Sequence, residues 1–237
     1  ETRHLAGLSD ESFLNGYCQF QPFLHYKNPV LIGVCRESAV RQRLQPLELA
    51  NLKVADLGME SQALVRAYLQ LIPEAKRRNE LHLLLDMGAE NATLALVFDG
   101  QIVNVGSLLF GGDNFTQAMA RHLGISEAEA EKTKRTSKLI AAHRQSPLTV
   151  AASEFVAELQ VLLDNWRSQL PEDFSKLPLQ RVFLSGGSGR LEGLDAYLFN
   201  VLAAPVDRLA VPLPDGAEYS GEEMVMAYGA AMMAFPR

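Results

Sequence analysis

The segment Leu81–Phe110, LHLLLDMGAENATLALVFDGQIVNVGSLLF, constrains the fold more than any other part of the chain. Leu81–Asp86 is an apolar run, and Ala92–Phe98 alternates well enough for a strand. Asp99-Gly100 is a favoured two-residue hairpin turn, and a third strand-like run, Gln101–Phe110, follows it. These residues predict a three-strand meander. Gly111-Gly112 then breaks the sheet, and Phe115, Met119 and Leu123 fall along one side of a helix.

The elements on either side extend this pattern. Downstream, Ser126 with Glu129 forms a capping box that opens a helix running toward His143, and a long amphipathic helix spans roughly Thr149–Leu170. A strand Arg181–Ser185, a glycine-rich turn Gly186–Gly189, a helix Glu192–Leu202, a short strand Val206–Leu209 and a terminal helix Glu222–Phe235 complete it. Upstream, Val30–Cys35 reads as a buried strand and Glu37–Ala50 as a helix interrupted or bent at Pro46. Leu52–Gly58 reads as a second strand, Ser61–Leu71 as a helix closed by Pro73, and Phe13–Leu24 as an edge strand. The basic run Glu74–Glu80 reads as a linker. The expected domains are therefore 1–78 and 79–237, the second with a helical insertion at about 126–170. Strand-helix-strand-helix repeats the tail of the later series, which predicts an α/β protein with a parallel, helix-covered sheet. It also predicts an internal duplication whose first copy is truncated and lacks the meander.

Composition removes several function classes. The 237 residues are 48% hydrophobic and 21% charged, which suits a packed globular chain and excludes disorder. A net charge of −6 without a long basic run argues against a nucleic-acid partner held by phosphate contacts. Cys18 and Cys35 cannot build a disulfide framework and lack metal-like spacing, which fits a reducing, cytoplasmic setting. The longest nearly apolar stretch, Met224–Phe235, is too short for a bilayer. The chain opens at Glu1 without a signal-peptide pattern, and a segment is expected upstream.

Four places can carry chemistry. Asp86-Met87-Gly88, followed by Thr93, puts a carboxylate at a strand end before a glycine turn, where backbone N–H groups can meet a phosphate and Asp86 a hydrated Mg²⁺. Gly111-Gly112 sits where a strand hands over to a helix N-terminus, which favours anions. Gly186-Gly187-Ser188-Gly189-Arg190 would let a flat base slide against backbone with Arg190 on one face. Glu131 and Lys134 lie one helical turn apart and can converge on a small polar ligand such as a ribose. Each also has an ordinary reading: a β-turn, a βα connection, a glycine turn, and a solvated ion pair. Order and fold position of all four together favour the functional one.

The segments LLLDMGAENATLALVFDGQIVNVGSLLFGGDNFTQAMARHLGISEAEAEKTK, VFLSGGSGRLEGLDAYL and MAYGAAM resemble the second half of the actin-like ATPase superfamily, whose fold is a duplicated RNase H-like one. Within it the chain most resembles the type IV pilus assembly PilM family and next the FtsA family, the likeness reaching back to about Val30. The resemblance implies ATP and Mg²⁺ as ligands. Asp86, Gly88 and Thr93 would form the second phosphate loop, with Asp86 meeting Mg²⁺ through water. Gly111 and Gly112 would start the helix behind the nucleotide, and Glu131 and Lys134 would reach ribose or base. Gly186, Gly187, Ser188 and Arg190 would line the adenosine pocket, and no residue is assigned as catalytic. Ala227, Gly229 and Ala230 would belong to the small-residue helix near the interdomain hinge.

Two departures bear on activity. Nothing before Val30 matches the family's first Asp-x-Gly phosphate loop or its following lysine, so the cleft is expected to be half built. Glu90 places a negative charge in the phosphate turn. The function implied is a cytoplasmic, nucleotide-binding scaffold of pilus assembly, peripheral to the inner membrane. It would recruit a cytoplasmic segment of a bitopic, PilN-like partner and could self-associate. Weak ATPase activity is the expectation for a complete protein and inactivity for this segment. The alternatives are an actin-like interaction module without nucleotide and an FtsA-like membrane tether.

Overall fold

A computed structural model of the chain describes residues 12–19, 27 and 29–234, which fall into two compact units, 1–59 and 60–237. In the first unit, β1 (Phe13–Gln19) pairs antiparallel with β2 (Val30–Arg36), Gly16 facing Gly33. Residues 20–24 of the expected edge strand lie outside the described residues. Helix α1 (Glu37–Leu49) follows β2 directly and keeps Pro46 inside its last turn without a break, then ends where Asn51 turns to φ 54°.

The strand expected at Leu52–Gly58 is absent: residues 52–59 have no regular structure. Leu52, Val54 and Leu57 are exposed, and no neighbouring strand among the described residues pairs with them, so their strand propensity has nothing to act on. The parallel pairing expected of this region is likewise replaced by the antiparallel β1–β2 pair.

The second unit opens with α2 (Glu60–Leu71), which the sequence grouped with the first half but which lies on this unit's sheet. The expected linker contains a single 3₁₀ turn, Glu74–Lys76. β3 (Leu81–Met87), β4 (Ala92–Phe98) and β5 (Gln101–Leu108) form the antiparallel meander. Asp99 at φ 50° and Gly100 at φ 75° make the type I′ turn that the dipeptide predicts. β6 (Arg181–Ser185) and β7 (Val206–Arg208) add on in parallel, giving the order β5-β4-β3-β6-β7.

Alternation then gives the sheet two different faces. Leu81, Leu83, Leu85, Met87, Leu94, Leu96, Val182 and Leu184 point into the main core. That core is closed by α3 (Gly112–Leu123), α5 (Pro147–Ser168) and α7 (Leu194–Leu202), through Phe115, Phe155, Leu159 and Leu198 among others. Each such fully buried side chain contributes about 1.5–3 kcal/mol relative to exposure. The alternate residues His82, Leu84, Asp86, Thr93, Ala95, Val97, Phe183 and Ser185 belong to the opposite face, where α2 packs. α8 (Val225–Ala234) packs in turn on α2.

Helix α4 (Glu127–Arg135) begins at the predicted capping box, with Glu129 N–H donating to Ser126 Oγ at 3.3 Å and Ser126 N–H to Glu129 Oε2 at 3.1 Å. It stops short of His143 because Leu139 turns into the core and its N–H pairs with the Glu192 carbonyl at 2.8 Å. The four-residue helix α6 (Glu172–Ser175) follows α5. Among the described residues no helix is long and apolar enough to cross a membrane.

Candidate functional site

Asp86 is the centre of the arrangement. The ladder sets it in register with Thr93 of β4 on one side and Ser185 of β6 on the other, so the three side chains rise from one face. Ser185 Oγ donates to Asp86 Oδ1 at 2.7 Å. Burial pushes the Asp86 pKa up; the Ser185 hydrogen bond opposes the shift and the nearby Glu60 carboxylate adds to it. Thr93 Oγ1 in turn donates to Glu60 Oε2 at 2.9 Å. Two carboxylates, each accepting from its own hydroxyl, therefore stand at the end of β3.

Three glycine turns close around this end of the sheet. Gly88 N–H donates to the Asn91 carbonyl at 2.9 Å, while its own carbonyl accepts from Gly112 N–H at 3.0 Å and Ser188 Oγ at 2.7 Å. A side chain at Gly111 would strike the carbonyl of Ala89, one at Gly112 the Ser188 hydroxyl, and one at Gly186, where φ is 86°, the backbone of Met87. The predicted residues 88, 111, 112, 186 and 188 thus meet from three separate loops, through backbone and the Ser188 hydroxyl, at the end of the strand that carries Asp86. In the first turn, the N–H groups of Ala89 and Glu90 have no acceptor among the described residues. Glu90 is exposed, so water screens the charge it brings to the turn.

Glu131 and Lys134 converge, but chiefly on the protein. Lys134 Nζ donates to the Gly112 carbonyl at 2.9 Å and to Thr116 Oγ1 at 2.9 Å, and it pairs with Glu131 Oε2 at 2.6 Å. Those contacts occupy its three N–H groups. Thr116 Oγ1 also donates to Glu131 Oε2 at 2.6 Å. Burial pushes the Glu131 carboxyl up, yet hydrogen bonds from Lys134, Thr116 and Arg135 outweigh it and hold the pKa at about 2. The cluster locks α4 onto the first turn of α3, with Glu131 still a third exposed.

The last predicted pair lies on the outer side of the glycine turn. Arg190 is exposed and pairs with Glu223 at 3.3 Å, and Gly187 faces the same Glu223 side chain. Glu60, Thr116, Ser185 and Glu223 are additions that sequence reasoning missed. Ser185 was reachable, since aligning β6 parallel to β3 puts it beside Asp86. Glu60 was not, because its role depends on α2 lying across the meander.

With this geometry in place, comparison with known proteins gives the affiliation. The family model described as type IV pilus assembly protein PilM matches residues 21–214. The chain belongs to the PilM family. The solved structure of a PilM–PilN type IV pilus biogenesis complex superposes with a TM-score of 0.76 at 23% identity, over 94% of this chain and 66% of that one. Ethanolamine utilization protein EutJ from Carboxydothermus hydrogenoformans aligns with a TM-score of 0.58 at 18% identity, over 84% and 62% of the two chains. MreB5 of Spiroplasma citri bound to ADP gives 0.61 at 14% identity, over 84% and 65%. These likenesses establish an α/β actin-like fold over most of the chain, which spans slightly under two thirds of each of these structures.

Proposed function

We propose that this PilM-family chain binds Mg²⁺–ATP at the end of β3 and acts as a cytoplasmic scaffold of type IV pilus assembly. It would be held at the inner membrane by a cytoplasmic segment of a PilN-like partner. The supporting observation is the convergence of three glycine turns on the buried Asp86–Thr93–Ser185 row. The solved PilM–PilN complex supports the partner, and the MreB5 structures with ADP and AMPPNP support the ligand class.

The residues suit that ligand. Ala89 and Glu90 offer backbone N–H groups to a phosphate, and the glycines keep side chains out of the space it would use. Among the described residues no three His, Cys, Asp or Glu side chains lie close enough to hold a metal themselves. Such a site suits Mg²⁺, which takes one or two carboxylates and completes its shell with phosphates and water. Asp86 would order one of those waters, Glu131 would meet the ribose with Lys134 bracing it, and Gly186, Gly187, Ser188 and Arg190 would line the adenosine side. Mg²⁺ would neutralise charge on the phosphate oxygens.

Titration calorimetry of the chain with Mg·ATP tests this reading. Saturable binding that Asp86→Asn weakens supports it, and heats no different from dilution defeat it.

A second reading, an interaction module without nucleotide, is favoured by Lys134, whose three N–H groups are already spent. It requires a PilN-like peptide to bind with an affinity indifferent to Mg·ATP.

A further inference from the structure

The face of the sheet that carries Asp86 also carries a buried polar chain at its other end. Tyr68 of α2 and His82 of β3 are fully buried, with Tyr68 Oη and His82 Nδ1 2.6 Å apart. His82 Nε2 lies 2.6 Å from Glu80 Oε2, whose side chain is partly exposed. Phe183 packs edge-on against both rings, at 5.3 Å from Tyr68 and 5.2 Å from His82.

The proton arrangement follows from the donor inventory. An ionised carboxylate only accepts, so Nε2–H donates to Glu80; Nδ1 of the neutral ring then accepts from the Tyr68 hydroxyl. Burial pushes the His82 pKa down and favours that neutral ring, against the pull of Glu80.

Two side-chain hydrogen bonds of α2 are spaced to match the sheet. Glu60 reaches Thr93 at one end of the helix and Tyr68 reaches His82 eight residues on, about 12 Å along a helix axis. Asp86, in register with Thr93, and His82 stand four residues apart on β3, about 13 Å along a strand. Helix and strand therefore run in opposite directions, tied at both ends. Between these two points Leu64 and Val65 are buried, and Gly229 of α8 presses against the carbonyl of Ala63. Interdigitated side chains seat the helix on the sheet, and the directional hydrogen bonds at Glu60 and Tyr68 add two fixed points along its axis.

We propose that Tyr68, His82 and Glu80 form a positioning relay that fixes the axial register of α2 on β3 and thereby sets where Glu60 stands beside Thr93 and Asp86. For its consequence at the site, the relay rests on the nucleotide reading above. Glu80 gives the buried pair a partly exposed end, so the carboxylate side of the site is steered from the opposite end of the strand.

Tyr68→Phe in the full chain tests the relay, because it removes one oxygen and leaves the ring. The expected crystal structure places Glu60 beyond hydrogen-bond reach of Thr93, and the ¹⁵N shift of His82 Nδ1 moves away from its hydrogen-bonded value. Calorimetry then shows the gain in ATP affinity produced by Mg²⁺ reduced about tenfold, with ATP binding in EDTA unchanged. Glu80→Ala, altered at the partly exposed end, shifts the same readouts in the same direction and serves if Tyr68→Phe does not fold. Glu80→Gln, which still accepts from Nε2–H, behaves as wild type.

A Tyr68→Phe structure that keeps the Glu60–Thr93 hydrogen bond overturns the relay. So does a Glu80→Gln protein displaced as far as Glu80→Ala, since charge rather than register would then be responsible. If the wild-type chain binds no Mg·ATP, the nucleotide reading alone falls, and the Glu60–Thr93 separation still decides the relay.

Discussion

Gly229 presses its bare Cα against the carbonyl of Ala63, where α8 and α2 meet. Replacing a glycine inside a helix by alanine ordinarily gains up to about 1 kcal/mol. Here the added methyl collides with backbone, which cannot swing aside as a side chain can. Gly229→Ala is therefore expected to lower stability by about 1–3 kcal/mol, the usual range for overpacking. Urea unfolding measures it, and an unchanged or raised midpoint shows that the two helices separate without loss.

Asp86→Asn should move stability and binding in opposite directions. Burial raises the Asp86 pKa in the fold, so the folded state holds its proton to higher pH than the unfolded chain does. Stability then falls as pH rises from the unfolded to the folded pKa, and above that window the buried charge is a net loss. The neutral, isosteric Asn removes this penalty and should raise the urea midpoint at pH 7. It should also weaken Mg²⁺-dependent ATP binding roughly ten- to a hundredfold, the range for losing a group that orients a metal shell. Parallel falls in stability and affinity would mean that Asp86 acts only as a structural residue.

The elements legible in the sequence are those whose signals are local. The meander, its Asp99-Gly100 turn, the Ser126–Glu129 capping box and, apart from the short α6 and the early end of α4, the element order of residues 81–234 depend on alternation, turn chemistry and helix starts within a few residues. The strand expected at Leu52–Gly58 was not legible, because an apolar run becomes a strand only when another strand is there to pair with it. At the site, the glycines were readable as punctuation. Lys134 was readable as a ribose contact or as half of an ion pair but not as a buried brace, since its burial comes from α4 folding back onto Gly112 and Thr116, 22 and 18 residues away. Glu60 carried no local mark beyond an acid in a first helical turn.

Arg190→Ala should separate adenosine contacts from phosphate contacts. Its pairing with Glu223 is exposed, so stability is expected to change by less than about 0.5 kcal/mol. If the outer side of the glycine turn receives the base, affinity for ATP falls while the ratio of affinities with and without Mg²⁺ stays constant. Calorimetry in Mg²⁺ and in EDTA reads both quantities. A change confined to the Mg²⁺ ratio would place Arg190 on the phosphate side instead.

The Lys134–Glu131–Thr116 cluster makes a prediction in acid. Lys134→Met keeps much of the buried stem and deletes the ammonium, which leaves the Gly112 carbonyl and the Glu131 carboxylate short of a partner. Because Glu131 stays a third exposed and water can take over its side of the pair, the main loss is the unsatisfied Gly112 carbonyl, and about 1–3 kcal/mol is expected. The pH dependence carries a separate sign. Glu131 is held at about 2 in the fold against an ordinary 4.5, so its contribution is present above 4.5 and is lost as pH falls from there toward 2. Without Lys134 the carboxyl keeps Thr116 and Arg135 and loses its shortest ionic contact, so the acid-induced fall in stability becomes shallower. Urea midpoints of both proteins between pH 2 and pH 6 measure the two slopes. Equal slopes would show that Thr116 and Arg135 hold Glu131 ionised by themselves, leaving Lys134 as a brace for the first turn of α3.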